Sequence, residues 1–255
     1  MNFIDTHTHL YAEEFDADRG TAFQRAFDDG VTCLILPAID KSYYERMMVV
    51  VKSNGKHCLP MIGLHPGSVK ENFQEELDFV KECLGKNKFY GIGEIGIDLY
   101  WDKTFEAEQI SAFSAQLDMA IEYHLPAAIH TRNSFEIAIE VIRKKNNPSL
   151  TGVFHCFTGT QEQAEQAITL GFKLGIGGVV TYKNSELPKV IEKTALEHLV
   201  LETDAPYLPP VPYRGKRNES AYIPIIAQKI ADIKHIELAE VAATTTRNAV
   251  TLFKL

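Results

Sequence analysis

The chain has little of what would divert it from an ordinary globular fold. Its four cysteines, Cys33, Cys58, Cys83 and Cys156, stand far apart and form no C-x-x-C, so there is no ground for a disulfide framework and a reducing compartment is expected. No basic stretch followed by an apolar core opens the sequence, and no secretory signal is expected. No uncharged run approaches the roughly 18 apolar residues of a membrane span, which excludes a membrane partner at this level. Low-complexity tracts, repeats and linkers are missing, so a single domain over residues 1–255 is expected. Positive charge is in deficit: 26 Lys and Arg against 34 Asp and Glu leave a net charge of −8. That balance argues against a surface coated in nucleic acid, although a local site can differ from the average. The expectation is a cytoplasmic globular protein with no evident obligate protein partner.

What the sequence has is alternation. Short apolar runs, "NFIDTH", "VTCLILPA", "HCLPMIGLH", "FYGIGEIGI", "LPAAIHT", "TGVFHCF", "GFKLGIGG" and "HLVLETD", are separated by segments with helical spacing. Within 104–124, Ile110, Phe113, Leu117 and Ile121 fall on one helix face. "TQEQAEQAITLG" reads as a short helix closed by Gly171, and "IELAEVAATTTRNAVTLF" carries another stripe. Eight strands alternating with helices predict an α/β fold, a (β/α)8 TIM barrel, with an open doubly wound sheet as the alternative. "GIGEIG" matches the dinucleotide fingerprint in letters only, because its third and sixth positions fall inside a strand. Prolines gather in "DAPYLPPVPYRGKRN", a long loop after the eighth strand.

In a barrel, reactive groups belong at the C-terminal ends of the strands. Those ends carry His7 and His9, His65, Glu94, His130, His155, Glu202 and Asp204. Unpaired buried carboxylates are costly, and a divalent cation supplies the charge that offsets burying such a ring. Four imidazoles and two carboxylates exceed what one tetrahedral ion uses, which points to two divalent metal ions, Zn, Mg or Mn. His7 and His9 would hold one and His130 and His155 the other. Glu94 would bridge, and Asp204 would complete the first site and face the water. Glu94 and Asp204 are thus the candidate catalytic residues. His65 and Arg132 are candidates for binding a substrate phosphate, Arg132 through its guanidinium fork. Arg214 and Lys216 stand near the rim, Arg217 is expected to pair with Glu202, and Tyr207 and Trp101 are loop aromatics near the opening.

The motifs "DTHTHL", "GLHPG", "GEIGID", "IHTR", "HCFTG", "ETDAPYLPP" and "RGKRNES", in that order across nearly the whole chain, resemble those of TatD-type metal-dependent hydrolases within the amidohydrolase superfamily. The resemblance implies a (β/α)8 barrel, a divalent-metal centre and, for the founding members, DNase activity. By motif it assigns His7, His9, Glu94, His130, His155 and Asp204 as metal ligands. Many superfamily relatives bridge their metals with a carbamylated Lys at a strand end; Glu94 in "GEIGID" stands where the TatD pattern has Glu, so no modification is required. Ser220 departs from the Pro common at its position, in the loop after the eighth strand. Two substrates stay open: DNA, entering as a single strand or free end, and a small-molecule ester, amide or phosphoester. A non-catalytic metal-binding protein is a third reading.

Overall fold

The computed structural model describes residues 1–100 and 102–255, so Trp101 lies outside the described residues. Eight strands appear in chain order: β1 (Phe3–Asp5), β2 (Val31–Pro37), β3 (Cys58–Met61), β4 (Ile92–Asp98), β5 (Ala127–Arg132), β6 (Gly152–Phe154), β7 (Phe172–Ile176) and β8 (Leu199–Leu201). The helices between and after them are α1 (Arg19–Asp28), α2 (Lys41–Asn54), α3 (Phe73–Lys86), α4 (Glu106–Glu122), α5 (Phe135–Lys145), α6 (Gln161–Thr169), α7 (Leu187–Lys193), α8 (Ile223–Lys234) and α9 (Leu238–Phe253). The apolar stripe in 104–124 becomes the buried face of α4. Thr160 and Gln163 form a reciprocal capping box that starts α6. Gly171, at φ +86°, follows that helix in a left-handed conformation that glycine adopts freely.

All strand pairs are parallel, in two arcs, β1-β2-β3 and β4-β5-β6-β7-β8. Single parallel bridges span both seams, Ile62 to Ile92 and Thr8 to Ala205. Backbone hydrogen bonds reinforce them, Gly93 N to Ile62 O at 2.9 Å and Thr6 N to Leu201 O at 3.0 Å. The circuit of eight strands is that of the (β/α)8 barrel, not the open sheet. "GIGEIG" lies mostly within β4, away from any helix start.

The barrel interior is apolar at its lower end. Ile4, Ile35, Met61, Ala128, Val153 and Val200 pack together there with Leu252 and Phe253 of α9. Side chains on one face of a strand recur every second residue, so the position above Ala128 is His130, above Val153 is His155, and above Val200 is Glu202. The same pleat that fills the core therefore lifts polar residues to the opposite end. Gly96, at φ +139°, permits the close approach of β4 to β5, since a Cβ there would sit 2.0 Å from the His130 carbonyl oxygen. No described helix is long and apolar enough to cross a membrane.

Candidate metal centre

Several strands stop short of the residues they present. β1 ends at Asp5, so His7 and His9 lie in the segment after the strand, where Thr8 N donates to Ile35 O at 3.1 Å and His9 N to Ala205 O at 2.7 Å. Their rings meet edge to face, 5.2 Å apart. Beyond β8, Asp204 N donates to His7 O at 2.9 Å, and Asp204 holds φ +57°. Asp tolerates this left-handed geometry better than most residues.

The side chains converge on Glu94. Its Oε2 lies 3.1 Å from His7 Nε2 and 3.6 Å from His9 Nε2. Its Oε1 lies 2.8 Å from both His130 Nδ1 and His155 Nε2. Asp204 Oδ1 stands 3.7 Å from His7 Nε2 and 3.5 Å from His9 Nε2. His65, in the loop after β3, brings Nε2 to 3.3 Å from Glu94 Oε1. Donor atoms of His7, His9 and Glu94, of His7, His155 and Asp204, and of His65, Glu94 and His130 each lie within 4.8 Å of one another.

Neighbours decide which nitrogen of each ring faces inward. Tyr11 OH donates to Pro37 O at 2.5 Å, so it accepts from His9 Nδ1 at 2.8 Å; the His9 Nε2 lone pair is left toward the centre. Asp98 Oδ2 lies 3.1 Å from His130 Nε2. As an acceptor it holds the proton on that nitrogen and frees Nδ1 for the interior. His65 is the opposite case. Its Nδ1 accepts from Gly67 N at 2.9 Å, so the proton sits on Nε2 and points inward. His9 and His130 are thus arranged as ligands, and His65 as a donor.

The electrostatics match a site built for cations. Burial pushes the Glu94 carboxyl up, but His155, His65 and His7 and the hydrogen bond from His130 overcome this and hold it well below the usual carboxylate range. Burial likewise opposes the Asp204 charge, and His9, His155 and His7 reverse the shift. Burial lowers His9, yet Asp204 and Glu94 carry it up to about 10. His155 is also raised well above the imidazole range, against burial, by Glu94 and Glu202. His7 goes the other way, lowered by burial and by His155. Two buried carboxylates thus face a ring of imidazoles that favours their charged form, and divalent cations fit among these donors, since metal ligation takes ionised carboxylates and neutral rings.

The centre opens into a cavity of about 610 Å³ whose lining includes His9, His65, Glu94, Arg132, Asp204 and Tyr207. The Arg132 guanidinium stacks 3.7 Å from the Tyr100 ring centroid, and half-exposed Tyr207 stands with its ring 6.2 Å from His9. Arg214 and Lys216 lie over Tyr182 and Tyr213 and do not line this cavity. Arg217 does not pair with Glu202. Its guanidinium bonds Asp18 at 2.7 and 2.8 Å, Glu219 at 2.9 Å and Glu14 O at 2.6 Å, because the loop after β8 carries it outward while Glu202 points inward to His155. Sequence reasoning missed Tyr11 and Asp98. Asp98 had a signal, lying four residues after Glu94 and hence on the same face of β4; Tyr11 had none.

The family model for TatD-related DNases matches residues 4–254. The uncharacterized metal-dependent hydrolase YabD of Bacillus subtilis (strain 168) is 35% identical over 99% of both chains. The protein named 3'-5' ssDNA/RNA exonuclease TatD of Erwinia tasmaniensis is 29% identical over 99% of this chain and 100% of its own. The crystal structure of the TatD homologue YjjV of Escherichia coli K12 superposes with a TM-score of 0.93 at 31% identity, covering 99% of this chain and 98% of that one. The chain belongs to the TatD-related DNase family of metal-dependent hydrolases.

Proposed function

We propose that this chain, folded as one domain over residues 1–255 and working in the cytoplasm, is a deoxyribonuclease that cleaves phosphodiester bonds at a single-stranded or free DNA end with two divalent cations. The observation that carries this reading is the position of Glu94, one oxygen toward His7 and His9 and the other toward His130 and His155. On this reading His7, His9, Glu94 and Asp204 hold one cation, and Glu94, His130 and His155 hold the second. The imidazole-rich donor set suits Zn or Mn, while Mg prefers oxygen donors and several waters. The cations would supply the charge that makes hydroxide available near neutral pH and stabilises charge on the attacking and leaving oxygens.

The chain's own groups divide the remaining work. Asp204 orients the attacking water and accepts its proton. His65 donates its Nε2 proton to a phosphate oxygen, and Arg132 offers the same phosphate a planar fork. A cavity of about 610 Å³ at the barrel mouth suits a nucleotide at a strand end better than an intact duplex. The Erwinia tasmaniensis relative supports the nuclease reading.

The second reading, hydrolysis of a small-molecule ester, amide or phosphoester, is favoured by charge. Among the described residues lining the cavity, Arg132 is the single Arg or Lys, and the net charge is −8. End-labelled single-stranded DNA, incubated with metal-stripped protein resupplied with Mg, Mn or Zn, separates the two. Stepwise shortening that requires metal supports the nuclease. Intact DNA beside brisk hydrolysis of a simple phosphodiester or ester moves the substrate to a small molecule.

A further inference from the structure

Glu202, one residue beyond β8, has no task in the reaction described above, yet it is completely buried beside the centre. Its Oε1 accepts the Cys156 amide and lies 3.5 Å from His155 Nδ1. His155 Nδ1 and Glu202 Oε2 are both buried without a hydrogen-bond partner among the described residues. A buried donor or acceptor left unpaired is costly, and here one of each belongs to two side chains that approach to 3.5 Å. His155 turns its other nitrogen, Nε2, toward Glu94 at 2.8 Å, so Nδ1 faces away from the cations' place and toward Glu202.

The neighbouring strand makes room for this carboxylate. A Cβ on Gly175 of β7 would lie 2.1 Å from Glu202 Oε2 and 2.6 Å from its Cδ. Gly175 does not have the positive φ that would itself demand glycine. Its missing side chain is explained by the space Glu202 occupies. His130 has Asp98 behind it, and His9 has Tyr11, each within hydrogen-bond distance; Glu202 is the carboxylate behind His155, at the longer distance of 3.5 Å.

We propose that Glu202 is the positioning residue of His155, accepting the Nδ1 proton and so fixing the tautomer whose Nε2 lone pair faces the centre, and that Gly175 is the seat that holds it there. The inference rests on the reading of His155 as a metal ligand. Outer carboxylates of this kind raise ligand basicity, and their loss costs about 10–100-fold in metal affinity.

The test is zinc binding by the metal-stripped full chain, measured by chelator competition, together with the 15N shifts of His155 in the zinc-loaded protein. Wild-type protein is expected to carry the proton on Nδ1; an unprotonated Nδ1 overturns the proposal without any variant. Glu202→Gln is expected to weaken one zinc about 10–100-fold and leave the other within a few-fold. Gly175→Ala, which keeps the carboxylate but displaces it, is expected to weaken the same zinc. The double variant should lose less than the two single losses combined, because both act through one contact. A merely structural Glu202 would lower the melting temperature and leave zinc affinity and the His155 shifts unchanged, and folded variants with that behaviour refute the role. Wild-type protein that binds no zinc would instead remove the metal-centre reading beneath it.

Discussion

At the scale of single residues, an imidazole is defined by what stands behind it. His9, backed by a tyrosine hydroxyl committed to Pro37, offers a lone pair; His65, backed by the Gly67 amide, offers a proton. The set of polar residues at this end of the barrel was legible in the sequence because each sits at or just past an apolar run. Their backing groups were not. Glu202 reaches the Cys156 amide across 46 positions of sequence, and Tyr11 is fixed by a carbonyl 26 positions away, so only the strand order brings such pairs together. The residue with the most direct chemical assignment is Asp204. Asp204→Asn is expected to keep the melting temperature within a few degrees and to lower turnover by about 10²–10⁴-fold, the range for a lost general base. Wild-type turnover in the folded variant, measured on any substrate the protein hydrolyses, would take Asp204 out of the reaction.

At the scale of elements, the apolar runs marked all eight strands but overstated their lengths. "HLVLETD" yields only Leu199–Leu201, and "TGVFHCF" only Gly152–Phe154. The chain leaves the ladder where Cys156 and Asp204 take positive φ, geometry that hydrophobic periodicity does not encode. The loop after β8 is then tied to α1 by Arg217 and Arg25, which hold Asp18 and Glu219. Hydrogen bonds from Arg217 and Arg25 hold the Asp18 carboxyl well below the usual carboxylate range. Burial opposes the Glu219 charge, and the same two arginines outweigh it. Carboxyls depressed in the folded state stabilise fully above their unfolded pKa, about 4, and that contribution is lost as pH falls through their lower folded values. The melting temperature is therefore expected to drop on acidification below about pH 4. Arg217→Ala should cost about 1–2 kcal/mol near neutrality, a figure discounted for the partial exposure of the cluster, and should flatten that acid limb. Calorimetry of both proteins between pH 2 and 7 checks this; parallel curves would show that the arginine does not set the carboxyl charges.

At the scale of the whole molecule, the alternation of strands and helices made the barrel legible, while its seams were not. They rest on isolated bridges at Ile62 and Thr8, too short to leave a pattern in sequence. The overall negative charge and the one Arg among the described residues lining the cavity imply that few phosphates are neutralised on binding. Single strands lose affinity with a log–log slope of about −0.7 per neutralised phosphate, so a salt slope of about −1 to −2 is expected for a single-stranded oligonucleotide. A slope near −5 would mean that the strand also follows a basic track outside the cavity, such as Arg214 and Lys216. Beneath all of this lies the claim that the ring of imidazoles around Glu94 holds two cations. The most direct measurement is elemental analysis of metal-stripped protein reloaded with zinc or manganese, beside a variant carrying His7→Ala and His9→Ala. Two equivalents per chain in the wild type and one in the variant are expected; one equivalent in the wild type, or unchanged stoichiometry in the variant, would contradict the centre described here.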